Sequence, residues 1–203
     1  MATVNDVLLR VDYLLKQEGQ AEGVRRWTRT ELYLWVADAV GALYKTDLSS
    51  GLVTETFQLV EGTKQTAPTT WDRVVDVIRN KPNNGSYGDA IRQVDRYILD
   101  SVDPDWHAQT NNSVIDEWAP GDGKREFYVN PPASTAAYVE ARGVLAPPSF
   151  SSTSDSVTAP DYHVETLANY VVYRALSKDA EEGLVQVAAG FYTQFEKGAN
   201  RGV

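Results

Sequence analysis

The chain has 203 residues, 42% hydrophobic and 23% charged, which is enough to bury a core and is expected to form one domain. Nineteen Lys and Arg against 28 Asp and Glu leave a net charge of -9, which argues against a general affinity for nucleic-acid phosphates or anionic membranes. With no cysteine, disulfides, zinc-thiolate and iron-sulfur sites and thiol catalysis are excluded; no apolar run approaches the roughly 20 residues of a membrane span.

The opening MATVNDVLLRVDYLL lacks the basic region and small-residue cleavage site of a secretory signal, so a protein made and used without signal-peptide export is expected. Thr3 and Asp6 form a capping-box pattern, and Val4, Val7, Leu8, Val11 and Leu15 keep helical spacing, which predicts a helix over about 4–17. After the loop QEGQAEG, Thr28 and Glu31 repeat the cap before Leu32, Trp35, Val36, Ala39, Val40 and Leu43. A second helix therefore ends near Tyr44. Each is apolar on one side and needs a cover.

From Leu48 the period changes. TETFQLVEG alternates polar and apolar residues, and TTWDRVVDVIRN carries Val74, Val75, Val77 and Ile78, so both predict strands. The run GDAIRQVDRYILDSVDPDWH, residues 88–107, places Ile91, Val94, Ile98 and Val102 at steps of three and four. That spacing predicts an amphipathic helix at about 89–102, ended by Asp103-Pro104, with Arg92, Asp95, Arg96 and Asp100 turned outward. Trp106 follows on an irregular segment where its indole must be packed. NSVIDEWAP and REFYVNPP, joined through Gly121-Asp122-Gly123, predict a hairpin, and AAYVEARGVLAPP a further strand.

Ser149 to Pro160 is poor in core-forming residues and is expected to be a mobile loop. Asp161 then caps a helix carrying Val164, Leu167, Ala168, Val171, Ala175 and Leu176, and a last helix carries Leu184, Val187, Ala188, Phe191 and Phe195. The short break between them makes the two antiparallel. The expected fold is α+β and mainly helical. A four-helix bundle from residues 1–47 and 161–203 holds an inserted small antiparallel β-sheet region, 48–160.

Asp103, Asp105 and His107 form a D-x-D-x-H cluster of the kind that holds a divalent cation, but three ligands on one short loop are better explained as a helix stop. His163 has no partner in view. Two histidines, no nucleophile elbow and no phosphate-cradling loop leave acid-base and nucleotide chemistry little to work with, so no catalytic, cofactor or metal residue is assigned. Arg92 and Arg96 fit local pairing and an inter-subunit bridge equally. Five Trp and eleven Tyr exceed what four short helices bury, which points to aromatic side chains used between subunits.

RVVDVIRN at 73–80, GDAIRQVDRYILDSVDPDWH at 88–107, EFYVNPP at 126–132, YVEARGVLAPP at 138–148 and YVVYRALSKDAE at 170–181 occur in an order and spacing that resemble the head-to-tail adaptor proteins of short-tailed bacteriophages, the tail-completion or gatekeeper-like connectors. Residues 108–125 and 149–160 match nothing in that pattern. The resemblance implies a non-enzymatic structural virion protein, assembled in the host cytoplasm, without cofactor. It implies a ring of about a dozen copies beneath the portal protein, with the tail nozzle protein on the far side and DNA passing through without sequence-specific binding. By the same resemblance the C-terminal arm with Lys197, Asn200, Arg201 and Val203 docks on the portal, and Arg92, Arg96 and Trp106 are candidates for contacts between subunits. The alternatives are a plug that closes the channel and a small metal-dependent hydrolase using Asp103, Asp105 and His107.

Overall fold

Both capping boxes close. The Asp6 carboxylate accepts the Thr3 N–H at 2.8 Å while the Thr3 hydroxyl accepts the Asp6 N–H, and Thr28 and Glu31 repeat the exchange at 3.2 and 3.3 Å. They start α1 (Val4–Leu14) and α2 (Arg29–Thr46) in the computed structural model, which describes residues 2–82, 85–178 and 182–200. The chain falls into two units, residues 1–51 with 147–203, and residues 52–146.

In the first unit α4 (Val164–Lys178) packs against α1, α2 and α5 (Glu182–Ala199). Val4, Val7, Leu8 and Val11 of α1, Leu32, Val36, Ala39, Val40 and Leu43 of α2, and Leu167, Ala168, Val171, Val172 and Ala175 of α4 are all buried. Helices α4 and α5 are antiparallel, since Tyr170 meets Phe195 at 5.0 Å and Tyr173 meets Tyr192 at 4.9 Å. At Gly198 the lack of a side chain lets α5 close onto Thr166, where a Cβ would overlap the hydroxyl.

Two polar clusters tie this unit together. Asp12, buried on α1, takes a two-pronged ion pair from Arg25 at 2.7 and 2.8 Å and another from Arg29 at 2.7 Å, and Gln17 accepts the Trp27 N–H at 3.2 Å. The loop between α1 and α2 is thereby clamped to both. His163, expected to stand alone, is buried with its Nε2 3.0 Å from Ser50 Oγ and 3.6 Å from Asp47. Ser50 gives its one hydroxyl proton to Asp47, so Nε2 must donate to Ser50 and Nδ1 is the unprotonated nitrogen, with no partner among the described residues. Burial holds the imidazole below its ordinary pKa, against the pull of Asp47. Burial also pushes Asp47 upward, and the hydrogen bonds from Ser49 and Ser50 outweigh it, keeping that carboxyl low.

The second unit holds β1 (Leu52–Gln58), β2 (Gly62–Thr66), β3 (Trp71–Asn80), β4 (Arg92–Gln93), α3 (Arg96–Val102), β5 (Glu117–Pro120), β6 (Glu126–Ala133) and β7 (Tyr138–Leu145). One sheet is ordered β1-β7-β3 and antiparallel. The other is β2-β6-β5-β4 and mixed, because β4 runs parallel to β5. Trp71 and Val77 of β3, Val139 and Ala141 of β7, Trp118 of β5, and Phe127 and Val129 of β6 share one core, so the sheets face each other across it.

The expectation of a mainly helical four-helix bundle is overturned: the described residues form five α-helices and seven strands in two sheets. GTKQT and Arg92-Gln93 lack apolar alternation and still find ladder partners, and the hairpin across Gly121 to Gly123 forms as predicted. The helix expected at 89–102 is also corrected, to Arg96–Val102. The backbone before it is taken by strands: Ile91 N–H donates to Ile78 at 3.1 Å, Arg92 to Asp116 at 3.0 Å and Val94 to Trp118 at 2.9 Å. Buried Asn80 pins the same stretch through Asp89 and Ile115.

The serine-rich loop is not loose. Its Asp155 and Thr153 carbonyls accept the Val4 and Asn5 N–H groups at 2.9 Å each, which a first helical turn leaves without partners inside the helix. Val157 and Ala159 of the same loop are buried.

Three outcomes follow from this packing. Gly143→Ala puts a methyl inside the Trp71 ring's van der Waals envelope, so a urea titration should show a loss of at least about 1–3 kcal/mol. Asp12→Ala strands the buried Arg25 guanidinium and should cost roughly 3–5 kcal/mol in the same titration. For His163 the folded pKa lies below the unfolded value near 6.5, so its contribution is complete above about pH 6.5 and is lost as pH falls through the folded value. The stability difference between the native chain and His163→Asn should shrink from pH 7.5 to pH 5, and a flat difference contradicts the cluster.

Candidate functional site

Helix α3 begins where the Asp95 carboxylate accepts the Tyr97 N–H at 2.9 Å and ends where Asp103 N–H returns to Leu99 at 2.9 Å. In this short helix only Leu99 is buried. The Trp106 indole N–H donates to Asp100 at 2.9 Å, its ring stacks on His107 at 3.7 Å, and it is fully buried. Trp106 therefore packs within its own chain. Helix α3 turns outward Asp100 and Ser101 together with three large apolar side chains, Tyr97 at 75% exposed, Ile98 at 58% and Val102 at 78%.

The two arginines occupy different settings. Arg92 lies on β4 with an exposed side chain paired to Glu117, and Asn130 donates to the same carboxylate at 3.1 Å. Arg96 sits over the Tyr97 and Tyr128 rings at 5.8 and 5.4 Å, with Asp122 at 3.7 Å and Asp100 at 4.0 Å. The Asp122 charge is the main cause of its raised pKa, ahead of opposing desolvation. Both cations are thus engaged inside one chain, and the open hollow of about 480 Å³ beside Arg96 and Asp122 presents no free cation.

Asp103, Asp105 and His107 do not converge. Asp103 accepts from Gln109, the Asp105 backbone carbonyl accepts the Ala108 N–H at 2.8 Å, and His107 Nδ1 meets the Thr63 hydroxyl at 2.8 Å. Among the described residues no group of three or more His, Cys, Asp or Glu is placed to hold a metal ion. The Ser50, His163 and Asp47 set is not a catalytic triad either, since serine and aspartate share one imidazole nitrogen and the cluster is buried.

A second surface lies in the helical unit. Leu9, Arg10, Tyr13 and Leu14 of α1 and Glu165, Ala168 and Asn169 of α4 line a groove of about 410 Å³, with Leu9 59% and Tyr13 71% exposed. Sequence reasoning passed over it because the stripe Val4, Val7, Leu8 and Val11 accounts for the buried face. The signal was Leu9 and Tyr13, four apart and off that stripe. The same distinction applies to the aromatics: all five Trp are buried, and the exposed rings are Tyr13, Tyr87, Tyr97, Tyr162 and Tyr192.

Of the C-terminal arm, Lys197 lies within α5 and Asn200 is exposed just after it, while Arg201 and Val203 lie outside the described residues. No helix among the described residues is long and apolar enough to cross a membrane.

The exposed apolar side chains of α1 and α3 suit protein contacts. The family model for the SU10 adaptor protein matches residues 2–202, which takes in both units. Comparison with curated proteins finds no match. The chain belongs to the SU10 adaptor protein family and is a structural adaptor of a bacteriophage virion, as the resemblance in its sequence implied.

Proposed function

We propose that the chain assembles into a ring of about a dozen copies that joins the portal protein to the tail nozzle protein around the DNA exit channel. The observation that carries this is the family match over residues 2–202. Two further features support it. Exposed apolar side chains on α1 and α3 are left in water by a lone chain and are the kind of surface that other chains cover. A net charge of -9 suits a wall past which DNA moves without being held, because phosphate binding needs clustered cations.

In this account the protein acts by surface complementarity and not by catalysis. The C-terminal arm carries Lys197 and Asn200, with Arg201 and Val203 beyond the described residues, and is the segment that docks on the portal. Arg92, with its exposed guanidinium, is available to a neighbouring copy at the cost of its pairing with Glu117.

Mass measurement of the purified chain, alone and mixed with portal, tests the proposal. A portal complex carrying many copies is expected, and a monomer indifferent to portal contradicts it. Reversing charge with Lys197→Glu and Arg201→Glu should weaken portal binding roughly tenfold while leaving the thermal transition in place.

A further inference from the structure

The edge of a sheet leaves backbone donors and acceptors unpaired, and most edges of this chain are covered or short. β3 has partners besides β7: Val74 N–H donates to Lys124 at 3.0 Å, Asn80 N–H to Asp89 at 2.9 Å, and Ile78 accepts the Ile91 N–H at 3.1 Å. In the second sheet β2 is interrupted between Gly62 and Lys64, and β4 is two residues long. β1 differs. It pairs with β7 over all seven residues without a bulge, and its other side has no strand beside it among the described residues.

The register fixes which groups that edge presents. Leu59 N–H donates to Ala137 at 2.9 Å, so Gln58 and Tyr138 face each other as a pair without mutual bonds, and the pairs alternate from there along the strand. Val53, Glu55 and Phe57 therefore direct their main-chain groups at β7, while Thr54 and Thr56 direct their N–H and C=O groups to the open edge. Side chains alternate as well. Val53 and Phe57 pack against the core between the sheets, so Glu55, midway between them, lies on the same side. It is exposed, its β7 neighbour Ala141 is fully buried, and its carboxylate has no ion pair or hydrogen bond among the described residues. A carboxylate placed there repels any added strand that lacks a cation. Residues 52–58 hold no Lys or Arg, so β1 of a second copy is repelled too.

We propose that β1 is completed by strand addition from a partner protein. An extended segment of the partner bonds its backbone to Thr54 and Thr56, places a Lys or Arg beside Glu55, and sets an apolar residue two positions to either side, next to Val53 and Phe57. Strand addition specifies the kind of segment this adaptor takes from its neighbours, and it rests on the connector reading for the presence of those neighbours.

Residue-resolved amide exchange of the full chain tests this, first alone and then with purified portal or nozzle protein added. In the lone chain the Thr54 and Thr56 N–H groups should exchange at least about tenfold faster than those of Glu55 and Phe57, and with one of the two proteins bound they should slow to match them. Glu55→Lys changes an exposed side chain, so it should leave the thermal transition in place and weaken binding of that protein roughly tenfold. Binding indifferent to Glu55→Lys overturns the inference. So does protection of Thr54 and Thr56 that grows with the concentration of the lone chain, which places a second copy on the edge. A bound portal or nozzle protein that leaves both amides exchanging fast overturns strand addition while the connector reading survives. If neither protein binds, both fall.

Discussion

Helix α4 is the surface on which both ends of the chain depend. Leu167, Val171, Val172 and Ala175 are fully buried because α1 and α2 cover α4 on one side and α5 on another. Full burial of a Leu or Val is worth roughly 1.5–3 kcal/mol, so losing α4 would uncover several such side chains on each neighbour at once. A helix of 11 residues such as α1 is marginal in water without a partner, and α2 has a wide buried face that also needs cover. The N-terminal pair therefore waits on a helix more than a hundred residues away in the sequence. That constraint lets the chain between α2 and α4 leave and return, and both junctions end against α2: Gly51 lies under the Tyr44 ring and Pro147 packs on Gly41.

Much of the helical unit was legible because its signals are local. Thr3 with Asp6 and Thr28 with Glu31 mark helix starts through bonds spanning three residues, and nothing distant competes with them. The stretch 88–102 was misread for the converse reason. Ile91, Val94, Ile98 and Val102 keep helical spacing, but 88–94 is drawn into extended backbone by Ile78 and Asn80 on the preceding strand and by Asp116 and Trp118, which lie well beyond a local window. Asp95, read as a solvent-facing residue inside the helix, is its N-cap. The serine-rich loop was misjudged similarly: its composition is that of a mobile segment, but its carbonyls complete the first turn of α1 from 150 residues away.

The candidate surfaces were less legible than the fold. Trp106 looked like an interface residue because an indole after a helix stop needs a partner, and the partners are Asp100, His107 and Tyr128 of the same chain. Ile98 and Val102 looked like core residues because they share a stripe with Ile91, which is buried as part of the sheet region and not of a helix. The general reason is physical: periodicity tells which residues share a face, and only packing tells whether that face is covered. Arg92 follows the same rule, since Glu117 comes from a distant strand, while Arg96 combines the local pairing with Asp100 that its sequence suggested and a distant acid, Asp122.

The central proposal is that this adaptor works as one of many copies between two other proteins. An electron-microscopic reconstruction of the virion with this subunit labelled tests it most directly. The account predicts label repeated around the axis at the junction of portal and tail nozzle. Label at any other place in the particle, or a single copy lying within the channel, contradicts it.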